Sequence, residues 1–208
     1  LTTKNHVVIE APTGSGKTTT LYSTLNKMEK PDINIVTIED PIEFDLENIN
    51  QAQVNTKSGV TFASALRSIL RQDPDIIMVG EIRDDETVEL AIRAALTGHL
   101  VFSTIHTNDA ASGFARLLNW EIEPFLIAST VKGILAQRLV RRICENCKIE
   151  HEITDRESTL LKIDKKKYAK TFTGKGCLSC RNSGYRGRVG LYELLKVDEK
   201  VSQLVLNQ

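Results

Sequence analysis

Short apolar runs recur along the first half of the chain: His6-Val-Val-Ile9, Ile33-Asn-Ile-Val-Thr-Ile38, Ile76-Ile-Met-Val79 and His99-Leu-Val-Phe-Ser-Thr-Ile105. Continuous runs of this kind suit strands buried on both faces of a parallel sheet. Between them the spacing turns helical. Leu21, Tyr22 and Leu25 follow the first run. Phe62, Leu66, Ile69 and Leu70 share one face, with Thr61 as a cap, and Val88, Ile92, Ala95 and Leu96 share another over Asp84 to Leu96, which Thr97-Gly98 ends. Pro31-Asp32 and Asp73-Pro74-Asp75 are breaks. The alternation predicts an α/β fold. Residues 44 to 60 are expected as a loop or short hairpin, while Ala110 to Leu118 and Pro124 to Leu139 are predicted as two further helices. Gly184 to Gly190 is turn-rich, and apolar periodicity returns at Leu191 to Leu195 and at Val201, Leu204 and Val205. There is no repeat or low-complexity tract.

The most informative stretch lies between the first strand and the first helix: Ala11-Pro-Thr-Gly-Ser-Gly-Lys-Thr18. Strand, glycine-bearing turn, Lys-Thr and helix are the context a phosphate-binding loop requires. Gly14 and Gly16 let the backbone turn its N–H groups toward an anion, and the helix adds unpaired donors and the positive end of its dipole. Lys17 is expected to reach the β and γ phosphates, with the Thr18 hydroxyl on a Mg²⁺ that bridges them. Pro12, Thr13, Ser15 and Thr19 complete the candidate nucleotide contacts, and Thr20 can add a hydroxyl. Ala11 stands where the usual motif has a glycine. The competing reading is an ordinary Gly-rich turn.

Carboxylates follow at strand ends. Glu39-Asp40-Pro-Ile-Glu43 ends the second run and Gly80-Glu81 the third, where open α/β sheets bind ligands. Four apolar residues and an acid, about 60 positions after a phosphate loop, fit the second nucleotide motif, whose carboxylate orients Mg²⁺ or water. A solvated strand-end Glu is the alternative. His106 closes the fourth run on the expected side, whereas His99 precedes it, so the two belong at opposite ends unless that strand is short. A hydrogen-bonded structural imidazole is the plain alternative for each.

The 208 residues are neutral overall and 41% hydrophobic, enough for a substantial core. The charge is nevertheless divided: residues 1–131 hold 10 Lys+Arg against 18 Asp+Glu, and 132–208 hold 17 against 9. That split predicts two units, 1–137 and 138–208. Arg138, Arg141 and Arg142 are expected as a solvated basic end, and Lys165-Lys-Lys167 as a solvated run, with docking to an acidic protein surface as its less favoured use. All four cysteines sit in two pairs, Cys144-Glu-Asn-Cys147 and Cys177-Leu-Ser-Cys180. Two tight turns bearing thiolates point to one structural Zn²⁺, with disulfides or free thiols as the alternative. No apolar run approaches the ~20 residues that span a bilayer, and Leu1-Thr-Thr-Lys-Asn5 lacks a signal pattern, so a cytosolic protein is expected.

Taken in order, these motifs resemble those of the secretion and pilus-assembly motor ATPases of type II secretion and type IV pilus extension. Ala11 to Tyr22 is similar to their Walker A loop, Ile38 to Phe44 to their aspartate box, Arg71 to Asp84 to their Walker B region and Thr97 to Asn108 to their histidine box. The cysteine pairs with Gly184-Tyr-Arg-Gly-Arg-Val-Gly-Leu-Tyr-Glu193 resemble their zinc-bearing portion, which the retraction motors lack. The resemblance implies a RecA-like P-loop ATPase core with a small C-terminal zinc-binding subdomain, and ATP, Mg²⁺ and Zn²⁺ as cofactors. It further implies Glu43 as the carboxylate that activates water, Glu81 as the Walker B glutamate and Glu39 with Asp40 in support. His99 and His106 become γ-phosphate sensors, and Arg71, Arg83 and Arg93 sit near nucleotide or subunit contacts. Leu118-Asn-Trp-Glu-Ile122 departs from the family's usual Met-Gly pair. The family's N-terminal half, with arginines that reach a neighbour's nucleotide, is not in this sequence, so residues 1–208 alone are expected to bind ATP better than they hydrolyse it. The implied partners are further copies in a hexameric ring and an inner-membrane platform protein, at the inner face of the cell membrane. A DNA-handling P-loop ATPase or a zinc-ribbon nucleic-acid binder is the alternative; with aromatics at 5% and no stacking rings among the basic residues, direct nucleic-acid binding is not expected.

Overall fold

Residues 6–10, 14–28, 30–164, 167 and 170–207 are described by a computed structural model of the chain. The β-branched runs form strands β1 (His6–Glu10), β2 (Ile35–Glu39), β4 (Ile76–Val79) and β5 (Leu100–Ile105), joined by β3 (Asn50–Gln53), β6 (Val131–Ile143) and β9 (Tyr185–Lys196). Their order in one sheet is β3-β2-β4-β5-β1-β6-β9. The pairs β3–β2, β2–β4, β4–β5, β5–β1 and β1–β6 are all parallel. Parallel pairing puts every one of those carboxyl ends on a single edge, so the chain after β1, β2, β4 and β5 converges there.

Helices cover both faces. On one face α1 (Lys17–Met28) buries Leu21, Tyr22 and Leu25 against Ile35, Ile76, Met78 and Phe102. On the other, α2 (Phe62–Ile69) and α3 (Asp85–Leu96) bury Leu66, Ile69, Val88 and Ile92 against Val36, Ile38, Ile77 and Val79. Removing a fully buried aliphatic side chain of this kind from water is worth about 1.5–3 kcal/mol. The caps agree with the sequence: Thr61 and Ser64 form a capping box before α2, and the Asp84 carboxylate accepts from the Thr87 N–H before α3. Asp109 likewise accepts from the Ser112 N–H ahead of α4 (Ala110–Asn119). No helix among the described residues is long and apolar enough to cross a membrane.

The predicted helix from Pro124 to Leu139 is corrected. Only α5 (Pro124–Thr130) is helical, and Val131 begins β6, whose Gly133, Ile134, Leu135 and Ala136 pair with Val7, Val8, Ile9 and Glu10. The run Ile-Leu-Ala suits a helix or a buried strand equally; the second edge of β1 supplies ladder partners that decide it. β3 was hidden for the opposite reason. Asn-Gln-Ala-Gln has no strand periodicity, yet it completes the sheet beside β2.

The chain divides into two compact units, Leu1–Arg138 with Tyr192–Gln208, and Leu139–Leu191. The sequence reading placed the final stretch with the second unit. Instead α7 (Glu199–Leu206) packs on α5 and buries Val205 in the larger core cluster. The second unit pairs β7 (Lys148–Glu152) with β8 (Lys170–Gly174) in an antiparallel hairpin, with α6 (Asp155–Leu161) in the connection. Lys165 and Lys166 lie outside the described residues.

Candidate functional site

The loop between β1 and α1 begins with Ala11, Pro12 and Thr13, which lie outside the described residues. Gly14 and Gly16 hold φ of 76° and 87°, in the left-handed region that a side chain disfavours by roughly 1–2 kcal/mol. Ser15 between them is buried, and its Oγ has no hydrogen-bond partner among the described residues. α1 starts at Lys17, so Thr18, half-buried, and Thr19, exposed, occupy its first turn. Burial holds the Lys17 ammonium below its ordinary pKa, with Glu81 pulling the other way. Positive φ at alternate glycines, an orphaned buried hydroxyl and a lysine at a helix N-terminus fit the phosphates of a nucleotide.

The loop is fastened from β6. The Gln137 amide, buried, donates to the Ser15 carbonyl at 2.7 Å and accepts from the Thr20 hydroxyl at 2.8 Å. Sequence reasoning missed Gln137 because it assigned that stretch to a helix. The available signal was one amide at the end of the apolar run Ile134-Leu135-Ala136.

Across the edge, Glu81 is shared. One carboxylate oxygen takes the Arg83 guanidinium at 2.6 and 2.7 Å, and the other meets His106 Nε2. Arg83 also approaches Asp40 at 3.6 Å, and Lys17 Nζ lies 3.4 Å from His106 Nδ1. His106 thus stands between a cation and an anion, with Lys17 Nζ facing its Nδ1 and the Glu81 carboxylate its Nε2. Burial pushes the Glu81 carboxyl up, but Arg83 and then His106 outweigh it and hold it below the usual carboxylate range. Gly80 sets the height of this residue: its N–H donates to the Ile38 carbonyl at 2.8 Å, and its own carbonyl accepts from the Thr104 hydroxyl at 2.7 Å.

Glu39 is differently placed. Only 3% exposed, its carboxylate accepts from Tyr22 Oη, from the Thr37 hydroxyl at 2.6 Å and from Gln51 Nε2 at 3.0 Å. With those donors in place it orders the site's scaffold, whereas Glu43 is exposed to solvent. The Glu43 N–H donates to Tyr22 Oη at 3.4 Å, and the Phe44 ring meets that of Tyr22 edge-on at 4.7 Å. Tyr22 thereby ties α1 to the loop carrying Glu43. Burial first, then Glu39, pushes its phenol up to about 12.

The structure does not bring His99 and Arg93 to this cluster. His99 Nδ1 lies 2.9 Å from the Ala94 carbonyl and 3.2 Å from Thr97 Oγ1, at the amino end of β5. His106 is at the other end, roughly 20 Å away at ~3.3 Å per strand residue. Arg93 pairs with Glu89 at 2.6 Å on the outside of α3.

In the second unit the four thiols converge. All four Sγ atoms lie within 4.8 Å of one another, with Cys144–Cys177 at 3.9 Å, Cys147–Cys180 at 3.8 Å and Cys177–Cys180 at 3.7 Å. No disulfide is present. A tetrahedral ion bound at ~2.3 Å sets its sulfurs ~3.8 Å apart, so the set could hold zinc. Cys180 is buried, which raises its thiol, yet the N–H groups of Cys177 and Gly184 donate to its sulfur and bring it down to about 6. Gly174 and Gly184 allow the backbones beneath to touch: a Cβ on Gly174 would stand 2.0 Å from the Gly184 carbonyl oxygen.

The family described as Type II/IV secretion system protein matches residues 2–208. The chain is 50% identical over 199 residues to the Type II secretion system ATPase E of Vibrio cholerae, covering 96% of this chain and 40% of that protein. It is 51% identical over 204 residues to the Type IV pilus assembly ATPase PilB of Myxococcus xanthus, covering 97% and 36%. Among solved structures, the pilus retraction motor PilT with bound ADP superposes with a TM-score of 0.72 and 33% identity, over 98% of this chain and 50% of that one. The chain thus spans 40% or less of the length of these two curated relatives.

Proposed function

The chain belongs to the Type II/IV secretion system protein family, with the RecA-like P-loop ATPase fold of its structural neighbours, and from that premise we propose that it is the nucleotide-hydrolysing part of a motor for type IV pilus assembly or type II secretion pseudopilus extension. One observation carries the reading: Lys17, His106, Glu81, Arg83 and Asp40 form a continuous polar chain across the carboxyl ends of β1, β5, β4 and β2. A phosphate loop at one end and a charge-fixed carboxylate in the middle are the two parts phosphoryl transfer requires.

In this reading Gly14, Ser15 and Gly16 present their N–H groups to the β and γ phosphates, together with Pro12, Thr13 and Thr19 around them. Lys17 exchanges His106 for the γ-phosphate. Thr18 would hold a Mg²⁺, which would supply neutralisation of phosphate charge. Glu81 orients water, Glu43 activates it, and Glu39 supports both by holding Tyr22. His106, released by Lys17, reports the γ-phosphate to Glu81. Arg93 and His99, away from the chain's own loop, are assigned to contacts between subunits of a hexameric ring. Cys144, Cys147, Cys177 and Cys180 hold a structural Zn²⁺. The ring docks on an inner-membrane platform protein at the cytoplasmic face, and residues 1–208 alone bind ATP better than they turn it over. The direct test is calorimetry of Mg-ATP with Lys17→Ala: lost or strongly weakened binding is expected, and affinity equal to wild type would overturn the loop assignment.

A further inference from the structure

We propose that Gln137 is the positioning residue of the phosphate loop, setting the direction of the Ser15–Gly16 peptide from outside the loop; the proposal rests on the nucleotide reading above. A phosphate loop works only if its N–H groups point inward. In a planar trans peptide the N–H and the preceding C=O point in opposite directions, so whatever anchors one aims the other. The Ser15 carbonyl is anchored by Gln137 Nε2 at 2.7 Å, which turns the Gly16 N–H to the opposite side. The same amide accepts from the Thr20 hydroxyl at 2.8 Å, and the Thr20 N–H donates to the Gly16 carbonyl at 3.0 Å. One buried side chain thus clasps both the loop and the first turn of α1.

Its origin explains why it can do so. β6 pairs with β1 as far as Glu10↔Ala136, so Gln137 stands level with the start of the loop, where β1 has ended. The next residue, Arg138, donates to the Asn108 carbonyl at 3.0 Å, just beyond His106. Consecutive strand residues face opposite ways, so the end of β6 reaches both the loop after β1, its neighbour in the sheet, and the loop after β5, one strand further on. An amide meets both demands at 137: a carbonyl needs a donor and Thr20 offers one, so glutamate would set acceptor against acceptor and an aliphatic residue would satisfy neither.

The test uses the full-length protein with ADP and Mg²⁺ as probe. Gln137→Met keeps the length and removes both bonds; its Kd for ADP is expected to rise about tenfold, the effect of one to two hydrogen bonds, and Gln137→Glu should weaken binding further. KM for ATP should rise more than kcat falls. A cooperatively melting Gln137→Met protein with Kd within about twofold of wild type overturns the proposal, because a purely structural role lowers the melting temperature alone. Should Gln137→Met not fold, Thr20→Val removes one arm of the clasp and is expected to weaken ADP about threefold, and an unchanged Kd there also overturns it. Wild-type protein that fails to bind ADP would instead refute the nucleotide reading itself, and Gln137 with it.

Discussion

Glu81 and Glu39, at the same sheet edge, differ in what surrounds them, and that difference separates the roles proposed for them. Glu81 is fixed by Arg83 and His106, so Glu81→Gln keeps the shape and removes the charge to which the proposed function gives the orientation of water. Turnover is expected to fall by about 10²–10⁴ with ADP affinity little changed, as steady-state kinetics and calorimetry on one preparation would show. Glu39 is saturated by donors, and its loss would act through Tyr22. The Tyr22 phenol, raised to about 12, favours the folded state fully below its ordinary value near 10, and that contribution drains away as pH rises from about 10 to about 12. Alkaline unfolding should therefore steepen in that window and flatten in Tyr22→Phe, followed by phenolate absorbance. Part of the cluster was legible because motif spacing fixes it: Glu81 and His106 share the carboxyl edge of the sheet with the loop that carries Lys17. Gln137 and Gln51 were not, since a single amide contacts partners 122 and 12 positions away, and no local pattern encodes such distances.

Elements were legible wherever periodicity and caps agreed. α2 and α3 follow Thr61 and Asp84 as read, and β4 and β5 occupy their apolar runs. β6 and β3 depend on partners far along the chain, so their own residues underdetermine them. The sheet edge is also sensitive to backbone spacing. A Cβ on Gly80 would lie 3.1 Å from the Ile38 carbonyl oxygen and 3.3 Å from Glu39 Cα. Neither atom belongs to a flexible side chain, so Gly80→Ala must push β4 from β2, at a cost of about 1–3 kcal/mol. Denaturant titration should report that loss, and turnover should drop beyond it because Glu81 moves with its neighbour.

At the scale of the whole chain, two units with separate sources of stability are expected to fail separately. The first rests on two apolar clusters, one on each face of the sheet, the second on a short hairpin, glycine contacts and four clustered cysteines. Strong chelation should open residues 139–191 to proteolysis while ADP binding persists, and mass analysis of the fragments with a parallel binding assay would read both. Loss of nucleotide affinity on chelation would contradict that independence. The division into acidic and basic halves, read as 1–137 and 138–208, carries no sign that the chain returns to the first unit at Tyr192. It leaves along β6 and comes back along β9, which is its neighbour in the sheet. In terms of descent, a segment entered along β6 and left along the neighbouring β9 has the connectivity of an insertion. Such a segment is the kind of piece that can be gained or exchanged as a whole, with β1 to β5 and the loop between β1 and α1 lying outside it.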